Sequence, residues 1–202
     1  MGKNMRIDVN VPQGASGPWR VEAFSVSAQE SEMTLARAKI QGAINEFVPA
    51  GNYTRLMRGD IVVMSNTPME IRTNRAFIRR AKGKVLINGL GLGMVLGAIL
   101  NKPEIESVTV VEYSEDVIKL VGPSFRDDSR VRVVHACAFE YQPEQGAFFD
   151  AVWHDIWDEI SEKNLPEMHK LHRKYGKRTN WQGSWARAEC EMMRDRVKKF
   201  HM

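Results

Sequence analysis

Val85-Leu86-Ile87-Asn88-Gly89-Leu90-Gly91-Leu92-Gly93 carries an apolar run into three glycines at alternate positions, and Met94 to Leu100 follow with a helical pattern. Val85 to Ile87 read as a buried strand of a parallel sheet, because both faces of such a strand meet apolar neighbours. The glycines read as a tight turn in which missing side chains allow close backbone approach. A helix N-terminus after the turn offers unsatisfied N–H donors to an anionic or strongly polar group. The dinucleotide fingerprint Gly-x-Gly-x-x-Gly would need glycine at Met94, or at Leu96 if counted from Gly91, and neither position fits.

Downstream the same alternation continues. Val108 to Glu112, Val131 to Ala136 and Phe149 to His154 are apolar strand-like runs, and Ser114 to Val121 has helical character. This order predicts a Rossmann-like α/β fold with an open parallel sheet. Ligands of such sheets bind outside the carboxyl ends of the strands, so the residues just past each strand carry most weight. Glu112 stands about twenty residues after the glycines, where a carboxylate can accept hydrogen bonds from both hydroxyls of a ribose. The small residues Ala136 and Ala138, with Cys137 between them, leave room for a flat base. Asp155 is placed to meet a substrate ammonium or to move a proton. His154 alternates away from Trp153 and Asp155 and is read as structural.

Upstream of the parallel pattern lie different elements. Residues 1–18, with Pro12, Gly14, Gly17 and Pro18, read as an arm or a loosely attached strand. Trp19 to Val26 reads as a strand, and Ser27-x-x-Glu30 as a capping box opening a helix through about Phe47. Tyr53 to Met57, Ile61 to Ser65 and Glu70 to Thr73 read as an antiparallel meander, followed by a helix over Asn74 to Ala81. The chain is therefore divided into 1–82, an arm, a helix and a small antiparallel β-region; 83–160, the Rossmann-like core; and 161–202, a basic helical segment packing on that core.

The 202 residues suffice for a substantial core, and hydrophobic and charged fractions of 43% and 27% are those of a globular chain. No apolar stretch approaches the roughly 20 residues of a membrane span, and no secretory signal pattern opens the sequence, so a cytoplasmic protein without a membrane partner is expected. Cys137 and Cys190 make neither a disulfide framework nor a metal-ligand spacing. From Lys163 onward eleven Lys/Arg face four Asp/Glu, a local excess of +7 in a chain whose total is +4. Such runs are more often solvated helix faces than nucleic-acid contacts. Trp181 and Trp185 in this region are read as covers for a sheet edge or face ahead of base-stacking groups.

Val85 to Gly93, Val108 to Ile118 and Phe149 to Asp155 together resemble the class I S-adenosylmethionine-dependent methyltransferase fold, and within it the spermidine synthase-like branch. The resemblance covers about residues 52–160. It implies S-adenosylmethionine or a related adenosyl ligand as cofactor, with Gly89, Leu90, Gly91 and Gly93 beside its amino-acid part. Glu112 would hold the ribose, Tyr113 would lie against the adenine, and Cys137 and Ala138 would border the base. Asp155 would touch the cofactor and orient or deprotonate a small-molecule acceptor, with Tyr53, Trp157 and Asp158 at the rim. Two departures stand out: Leu92 occupies a place where spermidine synthases carry an acid, and Ala136-Cys137-Ala138 replaces their common Gly-Asp-Ala. The leading expectation is methyl transfer to a small molecule. A spermidine synthase-like aminopropyltransferase and a non-catalytic adenosyl-binding scaffold are the alternatives, with an NAD-dependent oxidoreductase behind them. After Asp155 the family's further strands have no evident counterpart, so the sheet is expected to be shortened and its bare edge to favour a homo-oligomer.

Overall fold

The computed structural model describes residues 7–41 and 47–200. Two sheets organise the chain. The first is an antiparallel meander of four strands in sequence order: β1 (Gly14–Ser16), β2 (Trp19–Val26), β3 (Gly51–Arg58) and β4 (Ile61–Ser65). The presumed arm therefore contributes β1, which pairs Gly14 with Val21 and Ser16 with Trp19. Helix α1 (Ala28–Gln41) interrupts the meander and opens on the expected capping box: Ser27 N–H donates to Glu30 at 2.7 Å and Glu30 N–H donates to Ser27 Oγ at 3.2 Å. Residues 42–46, part of the helix expected to reach Phe47, lie outside the described residues, and Phe47 itself is not helical.

The run Glu70 to Thr73, expected as a strand, belongs instead to helix α2 (Pro68–Arg80). Pro68 opens it at a position where a missing N–H costs nothing. Glu70, Ile71, Asn74, Phe77 and Ile78 then fall at three- and four-residue spacing and are all buried, so the helical period wins over a local alternation too short to specify a strand.

The second sheet is wholly parallel: β5 (Gly83–Asn88), β6 (Ile105–Glu112), β7 (Val131–His135), β8 (Phe149–His154) and β9 (Thr179–Ser184), in the order β7-β6-β5-β8-β9. Helices α3 (Met94–Leu100) and α4 (Glu115–Val121) link β5 to β6 and β6 to β7, and α5 (Leu165–Tyr175) precedes β9. A last helix, α6, spans Arg187–Phe200. Strand alternation separates two cores. Val85, Ile87, Val108, Val110 and Trp153 pack with Phe77, Leu96, Ile99 and Val121, whereas Leu86, Val111 and Val152 pack with Leu171 and Tyr175.

Strand β9 corrects the reading of 161–202 as helical. Thr-Asn-Trp-Gln-Gly-Ser has little strand character of its own, and tertiary contacts hold it. Trp181 stacks over Trp153 and Phe77 with ring centroids 6.3 and 6.2 Å apart, so this tryptophan does cover a sheet face, but from within the sheet. No helix among the described residues is long and apolar enough to cross a membrane.

Candidate functional site

The strand order turns about at β5, whose two neighbours are β6 and β8. Chains leaving β5 and β8 diverge there and open a crevice at their carboxyl ends. A cavity of about 370 Å³ fills it, within the range of small-molecule sites. The antiparallel sheet supplies the opposite wall through Leu56, Arg58, Val63 and Met64, so both sheets shape the site. Gly89, Leu90, Gly91, Glu112, Tyr113, Cys137, Ala138 and Asp155 all line it.

The glycine turn has a more structural role than its sequence implies. Gly89 N–H donates to Val111 O, Leu90 N–H to Glu112 Oε2 and Gly93 N–H to Leu90 O, each at 2.8 Å, while Leu92 N–H points at the Met64 sulfur at 3.3 Å. Four donors expected to greet a ligand are thus committed to the protein. The glycines are required for packing: at Gly89 (φ +100°) a Cβ would overlap the Asp155 carbonyl, and at Gly91 (φ +51°) it would stand 2.5 Å from the Met64 sulfur. Gly93 does not line the cavity; it is the left-handed residue before α3, pressed against the Phe125 ring. Leu92 is fully buried, so its side chain belongs to the core and not to a ligand site.

Glu112 joins the strand end to the turn. Its Oε2 takes the Leu90 N–H and its Oε1 takes the Ser114 N–H, both at 2.8 Å. Each oxygen keeps a second lone-pair lobe, and the carboxylate lines the cavity. Tyr113 is 75% exposed at the mouth, its ring free to meet a flat ligand face. Ala138 is buried, and Lys174 Nζ holds the Ala138 and Phe139 carbonyls at 3.1 and 3.0 Å, fixing the base-side wall.

Asp155 lies where β8 ends, and burial, helped by the Glu112 charge, pushes its carboxyl up to about 7; the Trp153 indole N–H donates to Asn74 Oδ1 at 3.0 Å. The cavity wall also holds a residue that the sequence did not single out. Glu70, in the first turn of α2, is only 7% exposed, and burial, helped by the Asp155 charge, raises it to about 8; the Trp185 indole N–H donates to Thr73 Oγ1 at 3.0 Å. Its placement among the buried positions of a helical stripe was the available signal, hidden once 70–73 were read as a strand. Trp157 and Asp158 reach the rim as expected; Tyr53 does not line the cavity and donates to Pro49 O at 2.8 Å. At the mouth Asp158 pairs with Arg58, whose guanidinium lies 5.4 Å from the Trp19 ring centre.

His154 faces the other side of the sheet, as its alternation predicts. Its Nδ1 takes the Asn88 amide at 2.8 Å and its Nε2 faces Gln182 Oε1 at 3.3 Å. Burial lowers it to about 3. His172, lowered to about 4 by burial and the Arg187 charge, bonds Ser184 Oγ at 2.9 Å. These groups form a scaffold beneath β5 and β8, outside the cavity.

The fold and site define an open, doubly wound α/β protein with a ligand cavity at the strand-order reversal and an antiparallel sheet as its second wall. No protein-family model matches the chain, and no curated protein matches it. Among solved structures it is similar to spermidine synthase from Thermotoga maritima, with 18% identity, 84% of this chain, 52% of that one and a TM-score of 0.48. It is also similar to the N-methyltransferase NodS from Bradyrhizobium japonicum WM9 in complex with S-adenosyl-L-homocysteine (13% identity; 54% and 56% of the chains; TM-score 0.42). Coclaurine N-methyltransferase is a further neighbour, at 19% identity over 55% of this chain and 32% of that one, with a TM-score of 0.41. The chain thus spans about half the length of the spermidine synthase it matches.

Proposed function

We propose that this chain binds S-adenosylmethionine in the cavity and transfers its methyl group to a small-molecule acceptor. The observation that carries the reading is Glu112, whose carboxylate is fixed by two backbone donors yet retains lone pairs toward the cavity, beside a buried small-residue wall at Ala138. This fits an adenosyl group: Glu112 would accept the ribose hydroxyls, and Tyr113, Cys137 and Ala138 would border the adenine. The cofactor, when bound, supplies an electrophilic methyl group. The protein's own contribution is position and the exclusion of water. Asp155 orients the acceptor and takes its proton, a role suited to a carboxyl held near 7.

Leu92 favours methyl over aminopropyl transfer, because its buried side chain places no carboxylate at that turn position. The test is calorimetric titration with S-adenosylmethionine, S-adenosylhomocysteine, methylthioadenosine, decarboxylated S-adenosylmethionine and NAD. Saturable binding of the first two, weakened at least about tenfold by Glu112→Gln, is the expected result. Binding of NAD alone overturns the reading.

A further inference from the structure

Charges around the cavity do not balance. Among the described residues Arg58 is the one cationic side chain lining it, and Arg58 is already paired with Asp158. Of the three remaining carboxyls, Glu112 is engaged by the Leu90 and Ser114 N–H groups. Glu70 and Asp155 have no cationic partner in the cavity wall among the described residues. The nearby indoles do not neutralise them: Trp185 Nε1–H donates to Thr73 Oγ1 and Trp153 Nε1–H to Asn74 Oδ1, each at 3.0 Å. They come from separate elements, the first turn of α2 and the residue after β8, line the same cavity, and the Asp155 charge raises the energy of ionised Glu70. The wall around them carries the indoles of Trp157 and Trp185. Two carboxyls in a partly desolvated pocket, with no free cation among the described residues of its wall, favour a positive charge over a neutral or negative group.

Resting on the functional reading above, we propose that Glu70 is a specificity-determining residue which, with Asp155, selects acceptors bearing a protonated nitrogen. Glu70 touches the acceptor's charged end and sets which molecules are held, while Asp155 stands nearer the glycine turn. Because burial holds the protons of both carboxyls to higher pH than in water, docking of the cation drives proton release from the pair to solvent.

The experiment uses the full chain and three matched probes: n-butylamine, 1-butanol and butyrate. Thermal shifts are read with and without S-adenosylhomocysteine, and calorimetry of butylamine is run in two buffers of different ionisation enthalpy. Butylamine is expected to raise the melting temperature in a saturable way while the alcohol and the acid do not, with proton release visible as a buffer-dependent heat. Glu70→Gln should weaken butylamine about tenfold or more. Glu70→Asp, which keeps the charge on a shorter stem, should fall between and serves if the amide variant fails to fold. Equal binding of butanol and butylamine overturns the proposal, as does unchanged butylamine affinity in Glu70→Gln. Failure of the adenosyl reading is seen separately, as absence of S-adenosylhomocysteine binding to the unsubstituted protein.

Discussion

The Leu90 N–H donates to Glu112 Oε2 at 2.8 Å across twenty-two positions of sequence, tying the glycine turn to the end of the neighbouring strand. Glu112 is thereby a structural clamp before it meets any ligand. Glu112→Ala leaves two part-buried N–H groups without their charged acceptor and should cost about 2 kcal/mol. In a chain of this size that is a fall of roughly 4–8 °C in melting temperature. Glu112→Gln keeps one acceptor oxygen and should lose about half as much. Urea unfolding of the two variants checks the order; equal and negligible losses would remove the clamp.

The turn glycines should differ in how they respond to alanine. At Gly89 the new Cβ meets the Asp155 carbonyl, which is backbone and cannot rotate away, so β5 and β8 must separate. A loss beyond about 4 kcal/mol is expected, among the large values for single substitutions. At Gly93 the obstacle is the Phe125 ring, a side chain. Gly93→Ala should therefore be partly relieved by Phe125→Leu, leaving mainly the left-handed backbone penalty of about 1 kcal/mol. A double-mutant cycle in urea measures the relief, and strict additivity would contradict the packing account.

The site residues were legible in the sequence to the extent that their partners are near in the chain or fixed by the α/β repeat. Gly89 and Asp155 directly follow strands and Glu112 ends one, and strand ends converge in this architecture whatever the detail of the loops. Glu70 and Met64 were not legible, because they enter the cavity from the other sheet and its following helix, whose docking no local pattern records. Met64 in particular caps the turn through its sulfur, so one of its donors, the Leu92 N–H, is satisfied from 28 residues upstream. The resemblance to methyltransferases located the acid and the downstream Asp but carried no information on this second wall.

Stability should respond to pH through two opposed pairs. Glu70 and Asp155 keep protons in the folded chain up to about 8 and 7, whereas the unfolded chain sheds them near 4.5 and 3.8, so these groups lower stability as pH rises through that window. His154 and His172 refuse protons until about 3 and 4 when folded but accept them near 6.5 when unfolded, so they lower stability as pH falls below 6.5. Between about 4.5 and 6.5 the slopes oppose, and above 6.5 the carboxyls act alone. Urea midpoints should be nearly level from pH 5 to 6.5 and then decline toward pH 8. Glu70→Gln should flatten that decline; a variant as pH-sensitive as the parent would show that Glu70 ionises normally.

Strand β9 depends on its aromatic stack, and this makes its stability a tertiary property. Phe77, Trp153 and Trp181 lie nearly parallel, with Phe77 and Trp153 centroids 5.1 Å apart, and Arg80 sits 5.5 Å from the Trp181 ring centre. Gly183 has no room for a Cβ, which would stand 2.8 Å from both Trp153 and Trp181 ring atoms. Trp181→Ala should cost about 3 kcal/mol through lost packing, and the loss should be local as well as global. Hydrogen exchange is the discriminating measurement: amides of 179–184 should lose protection more than those of β5 and β6, because β9 is the outer strand and has little intrinsic preference to stay extended. Uniform loss across all five strands would mean that β9 unfolds only with the whole sheet. Retained protection in β9 would show that its pairing to β8 suffices without the stack.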